Sequence, residues 1–351
     1  MKHLELHVLQ SIPASCLNRD DMNSPKTAFF GGVQRARVSS QSWKRAIREY
    51  AKELSPYFKG ERTRLIVNPL KDALITMGLS EVEAIDGAKK IADALAKFDA
   101  EVEKKTGELK VKTLYFTSPG EIKALAESYA GNKDPKKALK SLNAGLLKDA
   151  ADISIFGRMV ASDHSLTIEG ASMFSQILST HRVDNEIDFF SAVDDLQGSG
   201  DAGAGMTGTL EFNSATYYRF AALNLDLLFD KFHLGTMTVE ERKEILSVFI
   251  QSVLEAVPQA RKNSMNGFTR PGYVIGLVRS KGHPVQLVNA FEKPVWAPQG
   301  KGIMEQSIEA LEKEVDQMDS TWKLKENRTT LVKMPEKNIK DFIQELVNHA
   351  V

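Results

Sequence analysis

The chain has 351 residues, 42% apolar and 26% charged, with 46 Lys and Arg balancing 46 Asp and Glu. This is ordinary for a globular protein and allows one large domain or two smaller ones. A formal net charge of zero excludes an indiscriminate polycation, the single cysteine excludes an internal disulfide framework, and no apolar run approaches the roughly 20 residues that span a bilayer. The sequence therefore predicts a cytoplasmic protein with no leader, no membrane partner and no cofactor.

In chain order, Leu4, Leu6 and Val8 alternate with Glu5 and His7, which predicts a half-buried strand. A polar loop through Pro25 and Gly31-Gly32 follows. Arg35, Arg37 and Ser39 then alternate with Ala36 and Val38 in an extended piece. Ser39 or Ser40 is placed to cap a helix from about Gln41, because a Ser hydroxyl satisfies exposed backbone N–H groups. Residues 55–149 turn rich in Ala, Glu, Lys and Leu, with helical spacing at Val82 and Ile85 and at Ile91, Leu95 and Phe98. They read as a mostly helical insertion punctuated by Pro119 and Pro135. Residues 153–156 predict a return to extended structure, leading into Gly157-Arg158-Met159-Val160. Gly198, Gly200, Gly203, Gly205 and Gly208 crowd one stretch and destabilise any helix there, so they predict a hairpin tip. Residues 210–225 alternate as a long strand. Thr238 and Glu241 form a capping box that opens an amphipathic helix with Ile245, Phe249 and Val253 on one face. Residues 273–278 and 285–291 read as two strands joined near Gly282 and Pro284, and helices at 304–315 and 339–347 close the chain. The order suggests an antiparallel α+β core carrying two insertions.

One segment stands out. Residues 17–48 gather Arg19, Lys26, Arg35, Arg37, Lys44, Arg45 and Arg48 against Asp20 and Asp21. A neutral protein that concentrates cations in one place builds a local anion site, and phosphate is the usual anion. Gln41, Lys44 and Arg48 fall at i, i+3 and i+7, on one helical face, while Trp43 and Ile47 turn inward. The bland alternative, a solvated basic helix, weakens once the cations before it are counted.

Other constellations carry less. Residues 198–203 match a dinucleotide-binding fingerprint by letter, but no buried strand precedes them and no helix opens inside them. Asp20 and Asp21 beside arginines read as loop-ordering partners; the rival reading makes them the metal-binding or general-base carboxylates of a ribonuclease. The histidines show no metal-ligand spacing with one another or with Cys16, which reads as a structural thiol. Phe189-Phe190 is either core or a stacking platform for bases. The residues alone thus predict a non-enzymatic binder of phosphate backbones, RNA or single-stranded DNA, without sequence-specific readout.

Residues 16–48 closely resemble the signature of the backbone subunit of the type I-E CRISPR surveillance complex Cascade, the CasC or "Cas seven" family. The stretch Ser15-Cys-Leu-Asn-Arg-Asp-Asp-Met-Asn23, then Phe30-Gly-Gly32, then Arg35 and Arg37, then Ser39-Ser-Gln-Ser-Trp-Lys-Arg-Ala46 follows the family's phrase. The likeness continues at Phe156-Gly-Arg-Met159, Thr180-His-Arg-Val-Asp184, Ile187-Asp-Phe-Phe190 and Ala192-Val-Asp-Asp-Leu196, with weaker echoes at Tyr218-Arg219 and Asn289-Ala-Phe-Glu292. The resemblance implies a ferredoxin-like palm of the RNA-recognition-motif type (residues 1–51 and 214–351), a helical fingers insertion (52–179) and a β-hairpin thumb (184–213). It implies as partners a CRISPR guide RNA, target DNA paired through that guide, further copies of the chain and other Cascade subunits. By position, Lys26, Ser39, Ser40, Gln41, Lys44, Arg45 and Arg48 would hold guide phosphates, within a patch that includes Arg19 and Arg37. Met159 would press on a base, and Phe189, Phe190 and Ser191 would clamp a displaced nucleotide. Related subunits of other CRISPR complexes cleave target RNA with an Asp in the first loop; resemblance to type I-E argues against that activity here.

Overall fold

The computed structural model describes residues 1–160, 163–192 and 206–351. Most of the glycine-rich stretch, Gly198 to Gly205, lies outside the described residues. The chain opens with strand β1 (His3–Ser15), the hairpin β2 (Thr27–Phe30) and β3 (Val33–Val38), and helix α1 (Ser40–Leu54). The insertion follows: β4 (Glu61–Thr63), α2 (Val67–Thr76), α3 (Glu81–Ala96), α4 (Ala100–Thr106), β5 (Tyr115–Thr117), α5 (Pro119–Asn132), α6 (Pro135–Leu139) and α7 (Ala151–Phe156). Then come β6 (Ser172–Phe174), β7 (Ile177–Ser179), β8 (Glu186–Ala192), β9 (Met206–Asn224), α8 (Leu225–Leu228) and α9 (Val239–Glu255). The chain ends with β10 (Tyr273–Arg279), α10 (Ile303–Trp322), β11 (Arg328–Met334) and α11 (Ile339–Ala350).

One antiparallel sheet organises the molecule, in the order β11-β10-β1-β9-β7-β3-β2, with β6 and β8 also paired to β9. Strands β6 and β7 lie inside the 52–179 range predicted for the fingers, yet pair within this sheet. Between β2 and β3, Gly31 and Gly32 take φ of +62° and +77°, the left-handed turn a tight hairpin needs. A Cβ on Gly31 would stand 1.6 Å from the Glu292 carbonyl oxygen, so no other residue fits.

Strand β1 is not half-buried. Leu4, Leu6 and Val8 pack into a core that holds Trp43 and Ile47 of α1, Phe249 of α9 and Phe342 of α11. Leu9, on the other face, packs with Tyr218, Ile275 and Leu277 beneath Leu311 and Val315 of α10. His3, Glu5 and His7 are buried too. Glu5 bonds to His3 Nε2 (2.9 Å), His7 Nε2 (3.2 Å) and Arg279 Nε (3.1 Å), and His7 Nδ1 meets the Tyr218 hydroxyl at 2.9 Å. Alternating polar residues give the same sequence pattern whether their face meets water or a satisfied buried network.

Two other expectations fail. Residues 153–156 form part of helix α7 rather than a strand, because a short apolar run does not distinguish the two by periodicity. Residues 285–291 are not a strand either: Leu287 N–H donates to the Tyr218 hydroxyl, Val288–Phe291 forms a 3-10 turn, and β11 pairs with β10 instead. The insertion has its own apolar cluster, running from Ile66 to Leu166 and including Ile91, Leu95, Leu125 and Tyr129. Val82, by contrast, points to solvent.

Burial raises the Glu5 pKa, but the bonds from His3 and His7 and the charges of His7 and Arg279 more than offset it, leaving a value of about 2 against an ordinary 4.5. The stabilisation from this lowered pKa is complete above pH 4.5 and is lost as pH falls toward 2. Glu5→Gln should therefore lower stability at neutral pH by about 3 kcal/mol, as expected when a buried charge loses its partner. The gap should close at acid pH. Urea unfolding between pH 2 and 7 reads both effects; a gap independent of pH would contradict the network.

Candidate nucleic-acid interface

Helix α1 is capped by Ser39, whose hydroxyl accepts from Ser42 N–H at 3.3 Å. Trp43, Ile47 and Ala51 are buried against the sheet. The Arg219 guanidinium stacks over Trp43 at 4.3 Å and donates to the Val253 carbonyl at the C-terminal end of α9 (2.8 Å), where the helix dipole favours a cation. The loop before α1 is held by its own polar groups. Asp20 Oδ1 accepts from Met22 N–H and Ser24 N–H, both at 2.9 Å, and Arg19 donates to Asn23 Oδ1 at 3.1 Å. Asn18 Oδ1 accepts from Ser39 N–H (2.8 Å), and Lys26 N–H donates to the Asn18 carbonyl (2.9 Å). Loop and helix start are therefore one unit, with Asp20 engaged in ordering it.

With its apolar face committed, α1 turns Gln41, Lys44, Arg45 and Arg48 into an open cleft of about 740 Å³, whose far wall is Gly60, Glu61, Arg62 and Thr63. Arg48 is anchored at the cleft floor: Nε donates to Asp152 Oδ2 and Nη2 to the Gly60 carbonyl, each at 3.2 Å, and the guanidinium lies 4.4 Å from the Phe116 ring centre. Asp152 is buried, and its Oδ1 accepts from Gly60 N–H at 3.2 Å. Burial raises the Asp152 pKa, partly countered by Arg48. A Cβ at Gly60 would stand 2.5 Å from Asp152 and 2.7 Å from Phe116, so glycine is required for this close approach.

The remaining lining charges are Lys44, Arg45, Lys52 and Arg62 against Glu49 and Glu61. Lys52 pairs with Glu61 at the rim (2.9 Å). Lys44 and Arg45 have no carboxylate partner among the described residues; the Lys44 ammonium sits 5.2 Å above the Phe174 ring. Burial and then the neighbouring Arg62 lower the Lys44 pKa.

The other sequence-predicted residues are spread around this cleft. Ser40 Oγ accepts from Gln176 Nε2 at 3.4 Å, and Arg37 donates to Gln176 Oε1 (3.0 Å) and to the Thr27 carbonyl (3.2 Å). Arg35 is fully buried and donates to the carbonyls of Phe30, Ser179, Phe291 and Glu292, so it joins strands and does not face a ligand. Lys26 is half-buried where the loop meets β3. Met159 is 81% exposed. It follows Gly157 (φ +79°) and Arg158, whose buried guanidinium grips Glu121 at 2.7 and 2.8 Å and the carbonyls of Phe116 and Leu166 at 3.0 Å.

Phe189, Phe190 and Ser191 stand apart from the cleft, on the β8–β9 hairpin. Phe189 is 66% exposed, whereas Phe190 lies over Gly208 of the opposite strand, where a Cβ would clash at 2.6 Å. The hairpin's base reaches the cationic loop through Asn185 Nδ2, which donates to the Pro25 carbonyl at 3.3 Å, next to Lys26.

The model of the CT1975-like protein family matches residues 4–350. The chain belongs to this family. A chain described as "CRISPR RNA-guided surveillance complex, pre-nicking" is 26% identical, with a TM-score of 0.83 over 99% of this chain and 100% of that one. A second, from a "CRISPR RNA-guided surveillance complex", shares the fold at 23% identity and a TM-score of 0.70, covering 99% of each chain. No curated protein matches.

In this member of the CT1975-like family, sequence reasoning missed Gly60, Arg62, Phe116 and Asp152. A lone acid within the apolar stretch Ala151-Asp-Ile-Ser-Ile155 was the available signal, since a buried carboxylate needs a partner. Arg62 and Phe116 gave none, because they meet only when β4 pairs with β5. Removing the carboxylate by Asp152→Ala should leave Arg48 unpaired at the cleft floor and cost about 3–5 kcal/mol in chemical denaturation. A loss under about 1 kcal/mol, the range of an exposed pair, would show that Arg48 does not depend on it.

Proposed function

We propose that this chain is the RNA-binding backbone subunit of a type I-E CRISPR surveillance complex, and that its α1 cleft holds guide-RNA phosphates. The observation that carries the reading is the pair Lys44 and Arg45, without a carboxylate partner among the described residues, presented beside Arg48 on one face of a helix whose other face is locked in the core. The family membership and the fold shared with chains of CRISPR RNA-guided surveillance complexes support the same reading.

In this reading the strand order β10-β1-β9-β7, with α1 and α9 as crossovers, is a ferredoxin-like palm. The insertion with its separate core is the fingers, and the β8–β9 hairpin is the thumb. Lys26, Ser39, Ser40, Gln41, Lys44 and Arg45 face the backbone of the guide, and Arg48 positions the cleft wall while adding its charge. Exposed Met159 and Phe189 press on bases. Phosphate contacts carry no sequence information, so any spacer is accepted and specificity passes to pairing with target DNA. Further copies add along the RNA, other Cascade subunits close the ends, and the subunit itself cuts nothing. Buried, unpaired Cys16 suits a reducing cytoplasm.

Lys44→Ala and Arg45→Ala should each weaken binding of single-stranded RNAs of unrelated sequence to the same degree. Each should also reduce the slope of log affinity against log salt by about 0.7 for every phosphate that is no longer neutralised. Filter binding across a salt series measures this. A weakening confined to one RNA sequence, or regular metal-dependent cuts in target RNA that vanish in Asp21→Ala, would count against the reading.

A further inference from the structure

Among the described cations lining the cleft, Lys44, Arg45, Arg48 and Lys52 come from α1, while Arg62 comes from the insertion. Arg62 stands on β4 directly opposite Phe116 of β5, with its guanidinium 4.7 Å from the ring centre. Arg48 lies against the same ring at 4.4 Å. The ring thus carries two guanidinium groups, and they are not equivalent. Arg48 is neutralised by Asp152, whereas Arg62 has no carboxylate partner among the described residues and remains open to solvent at the cleft. Partial burial and then the charge of Arg48 lower the Arg62 pKa, with Asp152 opposing, while Arg62 in turn lowers that of Lys44. Arg62 and Lys44, from different elements, thus share one cleft; its lining carboxylates are Glu49 and Glu61, and neither pairs with Arg62 or Lys44 among the described residues. A cleft that gathers unpaired cations raises the local concentration of anions. The planar guanidinium, held 4.7 Å from the ring centre, offers the paired donors that suit bidentate contact with phosphate oxygens.

We propose that Arg62 is a phosphate ligand contributed by the insertion, and that Arg62 and Lys44 grip the phosphodiester backbone of bound RNA from opposite walls of the cleft. The inference rests on the RNA-binding reading above. The ligand is taken as a running chain because the reading above is of RNA, and the cleft is open to solvent and lined by Leu114 and Phe156 as well as by its charges. RNA binding then ties the insertion to α1 by cancelling the repulsion between them.

The test compares the full chain with Lys44→Ala, Arg62→Gln and Arg62→Lys, using single-stranded RNA of mixed sequence over a salt series. Thermal unfolding of each RNA-free protein is followed in parallel. Arg62→Gln should weaken binding roughly tenfold, as for removal of one charge-assisted hydrogen bond. It should reduce the salt slope by about 0.7. Its RNA-free unfolding midpoint should equal or exceed that of the unaltered protein, since a repulsion is removed. Arg62→Lys should keep the slope and recover part of the affinity. If Lys44→Ala weakens binding while Arg62→Gln leaves affinity and slope unchanged, Arg62 is not a ligand and the RNA-binding reading stands. A lower RNA-free midpoint in Arg62→Gln would make the residue structural and overturn the proposal. If the unaltered protein binds no RNA, the reading beneath the proposal fails with it.

Discussion

Helix α1 can bury only one face, and the rest of the candidate site follows from which one. Trp43, Ile47 and Ala51 are spent on the sheet. With 3.6 residues per turn, Gln41, Lys44, Arg45 and Arg48 are then forced toward the insertion. The face cannot rotate without exposing Trp43 and breaking its stack with Arg219. The loop before the helix is bound to its start by Asn18 and ordered within itself by Asp20, so Arg19 and Lys26 are carried along in register. Position in the cationic segment therefore becomes position in space.

Charge balance then decides what each cation does. Arg35 is wholly enclosed and bonds four carbonyls, which makes it a joint between β3, β7 and the turn at Phe291. Arg48 is intermediate: Asp152 neutralises it, and its role is to hold helix and insertion at a fixed separation. Lys44 and Arg45 lack such a partner among the described residues, and these are the groups that gain most from an added anion. A cluster that looks uniform as sequence thus divides into structural, positioning and unpartnered members according to the carboxylates and carbonyls within reach among the described residues.

Local signals were legible in the sequence. The Ser39 cap, the inward Trp43 and Ile47, the capping box of α9 and the long strand β9 all form as their chemistry predicts. Failures arose where the pattern does not encode the environment. Glu5 and His7 alternate as a solvent-facing set would, yet Arg279 and Tyr218, distant in sequence, enclose them. Residues 153–156 were too short to separate helix from strand. The far wall of the cleft was invisible because Arg62 and Phe116 acquire meaning only through the β4–β5 pairing. The motif echoes at Tyr218-Arg219 and Asn289-Ala-Phe-Glu292 fall on residues that hold the scaffold: Tyr218 serves the Glu5 network, Arg219 the end of α9, and the Phe291 and Glu292 carbonyls receive Arg35.

A guide RNA gripped by the α1 cleft should travel with the protein through purification. The decisive observation is therefore the identity of the RNA that co-purifies with this chain from its native host. RNA of uniform length is expected, with repeat-derived sequence flanking many different spacers, and the amount recovered should fall in Lys44→Ala. Recovery of no RNA, or of heterogeneous cellular RNA without repeat sequence, would contradict a guide-holding cleft.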